Sequence, residues 1–123
     1  MIKSILLVAL GGSAGSVLRY LSQKFIGNLY VHPFPWGTLV VNIVGCFLIG
    51  VLWSIVSKNS STADELRWLL MTGFCGGFTT FSAFTLESMT LIKEQRLLLF
   101  FLYILASVAF GLVATFAGMK LIK

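Results

Sequence analysis

The sequence predicts an all-α membrane protein of four transmembrane helices. Composition is the first reason: 58% of the residues are hydrophobic and only 11% are charged, against about 25% charged in a soluble domain. Second, four apolar runs are each long enough to cross a hydrocarbon core of about 30 Å. Third, the connections between these runs are short, and the first holds both prolines, Pro33 and Pro35. The chain reads as a single four-helix domain over residues 1–123, with helices at about 2–25, 37–56, 68–92 and 97–121.

The first run opens like a signal peptide, with Ile5 to Leu10 followed by Gly11-Gly12-Ser13-Ala14-Gly15. Three further apolar runs make an uncleaved span the better reading. The second helix follows Pro33-Phe34-Pro35. A polar stretch, Ser61-Thr62-Ala63-Asp64-Glu65, reads as a cap for the third. Lys93-Glu94-Gln95-Arg96 is a tight charged turn into the fourth. Trp36, Trp68 and Tyr30 fall where interfacial aromatics are expected. Gly11 and Gly15, Gly73 and Gly77, and Gly111 and Gly118 have spacings that let membrane helices pack closely. Cys46 and Cys75 lie inside apolar runs and read as small packing residues, without disulfide or metal spacing.

The net charge of +5 comes from basic residues scattered at the ends of the runs. That suits interfacial anchoring and excludes a nucleic-acid surface. One side would receive Lys3, Lys58, Arg67, Lys120 and Lys123; the other would receive Arg19, Lys24, Lys93 and Arg96. So small a bias allows insertion both ways and hence an antiparallel dimer, while an ordinary fixed orientation stays open. No catalytic constellation is visible. The only histidine, His32, sits beside prolines, and no Ser or Cys has a base partner.

Polar residues at membrane depth are the informative ones. Between Trp68 and Leu86 there is no charge, yet Gly76-Gly77-Phe78-Thr79-Thr80-Phe81-Ser82 carries two glycines and three hydroxyls. Lipid offers no partner to free backbone groups, so irregular backbone there must be covered by protein or line a wet path. In the second helix Thr38, Asn42 and Gly45 share a face. In the fourth, Tyr103, Ser107, Gly111 and Thr115 recur every four residues, a stripe of about 18 Å at 1.5 Å per residue. Phe81 and Phe84 are neighbours on one helical surface. Glu87 is the only acid within a span, and intramembrane acids are functional candidates by default. Arg19 either snorkels to the far interface or attracts anions to a mouth. For the others, helix packing is the competing explanation.

Asn42, Ser82, Tyr103, Ser107, Thr115 and Arg19 all offer hydrogen atoms, and acceptor-only groups are limited to Glu87. Phenylalanine rings present positive edges. Such a lining suits an anion, because a bare buried charge needs donors in place of its water shell. Fluoride, compact and strongly hydrated, fits better than chloride, although composition alone leaves that choice open.

Three blocks then carry a resemblance over essentially the whole chain. They are Gly11-Gly12-x-x-Gly15-x-x-x-Arg19-Tyr20, Gly37-Thr38-x-x-x-Asn42-x-x-Gly45, and Gly73-Phe74-Cys75-Gly76-Gly77-x-Thr79-Thr80-Phe81-Ser82-x-Phe84. In this order the sequence resembles the CrcB/Fluc fluoride channel family. The resemblance implies an antiparallel dual-topology dimer with two fluoride pores, the third helix broken near its middle, in the cell membrane. It implies a structural sodium ion at the dimer centre, held by backbone carbonyls of Gly76 and Thr79. Phe81 and Phe84 would form an aromatic box drawn from both subunits, with Asn42 donating to the ion. Tyr103 and Ser107 would line the fourth-helix side, Ser82, Glu87 and Thr115 would extend a polar track, and Arg19 would stand in the vestibule. Thr38 joins the pore set through its face with Asn42. Ala83 departs from the pattern where many relatives have threonine, and Gly111 lacks a hydroxyl that some supply. Homodimer and heterodimer both stay open.

A proton-coupled multidrug transporter is the alternative for a four-span chain of this size. It calls for an acid in the first span, and none is there. A membrane interaction protein whose polar residues only join helices is a third reading.

Overall fold

The computed structural model describes residues 1–29, 33–58 and 63–122. Tyr30, His32, Lys123 and the Ser61-Thr62 portion of the expected cap lie outside them. The described residues are helical, without strands. Four spans are long and apolar enough to cross a membrane: Ile2–Leu29, Trp36–Lys58, Ala63–Lys93 and Leu97–Leu121.

The first, second and fourth spans are single helices, α1 (Ile2–Leu29), α2 (Trp36–Lys58) and α6 (Leu97–Leu121). The third is composite. It comprises α3 (Ala63–Leu66), a π-helical segment (Arg67–Cys75), α4 (Gly76–Phe78) and α5 (Phe81–Lys93). Several ends run past the apolar cores from which they were expected. The third span begins at Ala63, taking Asp64, Glu65 and Arg67 into helix. Lys3 Nζ meets Glu65 Oε1 at 2.9 Å there, tying the start of α1 to that charged turn. Both groups are half exposed or more, so the pair contributes about 0–1 kcal/mol.

α2 is the most enclosed helix. It packs along α6, while α1 packs on the π segment and α4. Small residues set both distances. A Cβ on Gly50 would strike the carbonyl of Thr115, and one on Gly118 would strike that of Phe47. On the other side, Gly11 and Gly15 of α1 lie against the carbonyls of Leu69 and Phe74. Backbone contact this close replaces lipid by protein atoms, and dispersion rather than hydrophobicity rewards it.

The turn after α5 ends the third span firmly. Arg96 N–H donates to the Leu91 carbonyl at 2.8 Å and Gln95 N–H to that of Ile92 at 2.9 Å. This is a Schellman closure, whose left-handed position usually holds glycine. Here Gln95 takes it, with φ 58°.

Candidate functional site

The centre of the site is a link of two residues. Thr79 (φ −86°, ψ 158°) and Thr80 (φ −148°, ψ 122°) are extended, between α4 ending at Phe78 and α5 starting at Phe81. The local sequence explains the geometry. Gly76-Gly77 is poor helix material, and the threonines are β-branched with hydroxyls suited to capping. Thr80 Oγ1 accepts from Ala83 N–H at 3.2 Å, an N-cap for α5. Thr79 Oγ1 and N–H both donate to the Cys75 carbonyl, at 2.8 Å and 3.0 Å.

Extended backbone in hydrocarbon leaves N–H and C=O groups that neighbours must satisfy. Asn42 on α2 does most of this. Its Nδ2 donates to the Thr80 carbonyl at 3.0 Å, and its Oδ1 accepts Thr80 N–H at 2.8 Å. One amide thus closes both backbone groups of one residue. Arg19 on α1 donates from Nε to the Gly77 carbonyl at 3.0 Å. The interhelical role that competed for Asn42 is realised, and one Nδ2 hydrogen remains beyond it.

Beside the link lies a cavity of about 410 Å³. Asn42, Gly76, Thr79, Phe81, Phe84 and Ser107 all contribute to its wall, with Met71, Cys75 and Ile49 among the apolar remainder. Phe81 and Phe84 stand 5.8 Å apart by ring centroids, tilted at 40°. Phe81 is 76% exposed, so most of its side-chain surface is left uncovered at the cavity edge. Ser107 Oγ is buried and has no hydrogen-bond partner among the described residues. A buried hydroxyl in that state costs about 1–3 kcal/mol unless something meets it.

The π segment contributes two side chains to the cavity. Gly76 N–H reaches back to the Met71 carbonyl, an i→i−5 bond. Met71 and Cys75, four residues apart and so on one face, both line the cavity.

The other candidates sit around this centre. Tyr103 is fully buried; its ring lies 5.0 Å from that of Phe84, and its hydroxyl donates to Glu87 Oε1 at 3.1 Å. Glu87 itself faces a different cavity, about 340 Å³, with Pro33, Pro35, Thr90 and Glu94. Ser82 is exposed, its Oγ 3.4 Å from that of Thr80. Thr38 is buried and accepts from Gln23 Nε2 at 3.0 Å. Thr115 donates to the Cys46 carbonyl at 3.1 Å, joining α6 to α2. Asn42, Phe81, Phe84 and Ser107 therefore share one cavity, whereas Thr38, Thr115 and Glu87 do not line it. Sequence reasoning missed Thr80 as cap and brace partner, and Gln23 as the partner of Thr38. A threonine directly ahead of an apolar helical run is the signal that could have found the first. Nothing in spacing pointed to the second.

These features define a small multi-pass membrane protein with a braced stretch of extended backbone and an aromatic-edged cavity beside it. The chain belongs to the family described as CrcB-like protein, Camphor Resistance (CrcB), whose model matches residues 6–119. It is similar to a protein of Rhizobium etli named fluoride-specific ion channel FluC, 48% identical over 118 residues, covering 96% of this chain and 94% of that protein. A protein of the same name from Leptospira interrogans is 46% identical over 121 residues, covering 98% and 95%. One from Flavobacterium psychrophilum is 45% identical over 121 residues, covering 98% of each.

Proposed function

We propose that this protein is a fluoride-selective channel that lets fluoride leave the cell passively across the cell membrane. The observation that carries the reading is the cavity wall. Ser107, whose buried hydroxyl has no partner among the described residues, joins an amide with a donor to spare (Asn42) and two phenylalanines around a space that no carboxylate of the described residues lines. Donors and ring edges favour an anion, and a small one gains most from short donors. The names of the relatives support fluoride in particular. An inside-negative potential drives an anion outward by about 2.3 kcal/mol per charge per 100 mV, which dispenses with a pump.

The assembly that suits this reading is an antiparallel dimer with two pores. One four-helix chain is too thin to enclose a path, and the exposed Phe81 ring is placed for completion by a second copy. A homodimer is the simplest form. We read the Thr79-Thr80 link as a functional break in the third span, and its carbonyls as the holders of a structural sodium ion. The donor set fits. Thr80 N–H, which would close a turn on the Gly76 carbonyl, is engaged by Asn42, and Arg19 occupies the Gly77 carbonyl. Gly76 and Thr79 are left at the cavity wall as hard oxygen ligands suited to a small cation. Bound there, sodium would supply charge compensation and join the two subunits. Tyr103 would steady the Phe84 ring and hand its hydrogen bond on to Glu87, with Ser82 as the next hydroxyl along the route.

The experiment is ion efflux from liposomes containing the purified protein, comparing fluoride with chloride, with and without a proton gradient. Rapid fluoride loss that follows voltage supports the channel, and Phe81→Ile should suppress it with the dimer peak retained on gel filtration. Strict proton coupling would favour a transporter instead. Equal loss of fluoride and chloride would remove the selectivity claim.

A further inference from the structure

Arg19 has a use that a general attraction for anions does not explain. Its Nε donates to the Gly77 carbonyl at 3.0 Å, across 58 residues of sequence and in a part-buried setting. A continuing helix would supply that carbonyl with the N–H of Phe81, but the extended pair carries this N–H away into the first turn of α5. The last carbonyls of a helical stretch need partners from outside it. Their neighbours are accounted for separately. Cys75 receives both Thr79 donors, and Asn42 holds Thr80. The guanidinium Nε–H thus closes one particular oxygen.

We propose that Arg19 is a positioning residue for the link. By closing the Gly77 carbonyl it fixes the end of α4, so that Gly76 and Thr79 on either side keep their oxygens available at the cavity. The proposal rests on the sodium reading above and deepens it, because it makes α1 a determinant of the ion site without contact to the ion. The atom that matters is the donor at the fourth side-chain position rather than the charge.

Two substitutions separate those properties. In Arg19→Gln, Nε2 stands as many bonds from Cα as the arginine Nε, so a neutral N–H can reach Gly77. In Arg19→Lys the charge is kept, but a methylene occupies that position. Two readouts apply: amide hydrogen exchange of residues 76–83 in the reconstituted dimer, and the sodium concentration giving half-maximal fluoride efflux. Arg19→Lys should speed exchange there by about tenfold and raise the sodium requirement by a similar factor, the scale of one lost hydrogen bond. Arg19→Gln should leave both near the unsubstituted protein, with anion entry slowed only at low salt. Three outcomes overturn the proposal: Gln shifting both readouts while Lys shifts neither, both variants shifting equally, or neither shifting. If the Lys variant fails to form a dimer, Gln alone decides, and faster exchange in it refutes the brace. The readouts also separate the layers. A protein that passes no fluoride undermines the channel reading yet leaves the exchange comparison intact, and a flat sodium dependence alongside shifted exchange undermines only the sodium reading.

Discussion

The α2–α6 seam and the Thr79-Thr80 link use the same kinds of polar residue for opposite ends. Along the seam, Ser54 donates to the Met119 carbonyl at 2.7 Å and Thr115 to that of Cys46 at 3.1 Å. These hydroxyls join two regular helices, whose backbones need nothing further. At the link, Asn42 and Arg19 serve backbone that has no helical partner of its own, and Ser107 has no partner at all among the described residues. A polar group in a span is therefore diagnosed by what its partner would otherwise lack. Hydroxyls on regular carbonyls join helices, and groups on extended backbone build a site.

The largest effect should come from Asn42→Asp. The change sets a carboxylate oxygen against the Thr80 carbonyl, where Nδ2 now donates at 3.0 Å. Two acceptors then face each other in hydrocarbon, at a cost of several kcal/mol, on the order of 3. Fluoride efflux should be abolished, and chemical denaturation of the protein should show the loss; normal efflux would mean that the link tolerates a missing donor. Gly45→Val comes next. A Cβ at Gly45 would collide with the Thr79 methyl, forcing the link sideways for about 1–3 kcal/mol. Efflux should fall more than stability does, whereas overpacking along the seam, as in Gly50→Ala, should lower stability first.

Thr115→Val makes the sharpest comparison with the cavity. It removes a seam hydrogen bond at nearly constant volume and should destabilise by about 1 kcal/mol. If Thr115 only joins helices, efflux measured under conditions where the protein is fully folded stays close to the unsubstituted rate; a drop would put Thr115 on the ion route. The smallest effect belongs to Gln95→Gly. Relieving a left-handed side chain should stabilise the protein by about 1 kcal/mol or less, with efflux unchanged.

The four spans were legible because length and apolarity alone demand them; the fourth shows this most simply, with a turn of charged residues before it. The link region was legible as an anomaly, since paired glycines and threonines have no business in a lipid-exposed helix. Its internal wiring was not. Spacing placed Thr38, Asn42 and Gly45 on one face, yet Thr38 turned to Gln23 while Asn42 and Gly45 met the link. Which part of a face meets which neighbour depends on helix rotation, and composition carries no record of that. The regular stripe on α6 divided likewise, with Tyr103 handed to Glu87, Ser107 to the cavity and Thr115 to the seam. The π register also escaped notice, because it shifts hydrogen bonds without changing hydrophobicity.

The most direct test of the anion-receiving wall is Ser107→Ala, followed by denaturation and by fluoride efflux from liposomes. Among the described residues this hydroxyl has no partner to lose, so the account predicts unchanged or slightly raised stability together with efflux lowered about tenfold, the scale of one donor to a charged group. Unchanged efflux, or a loss of stability that accounts for the whole decline, would contradict it.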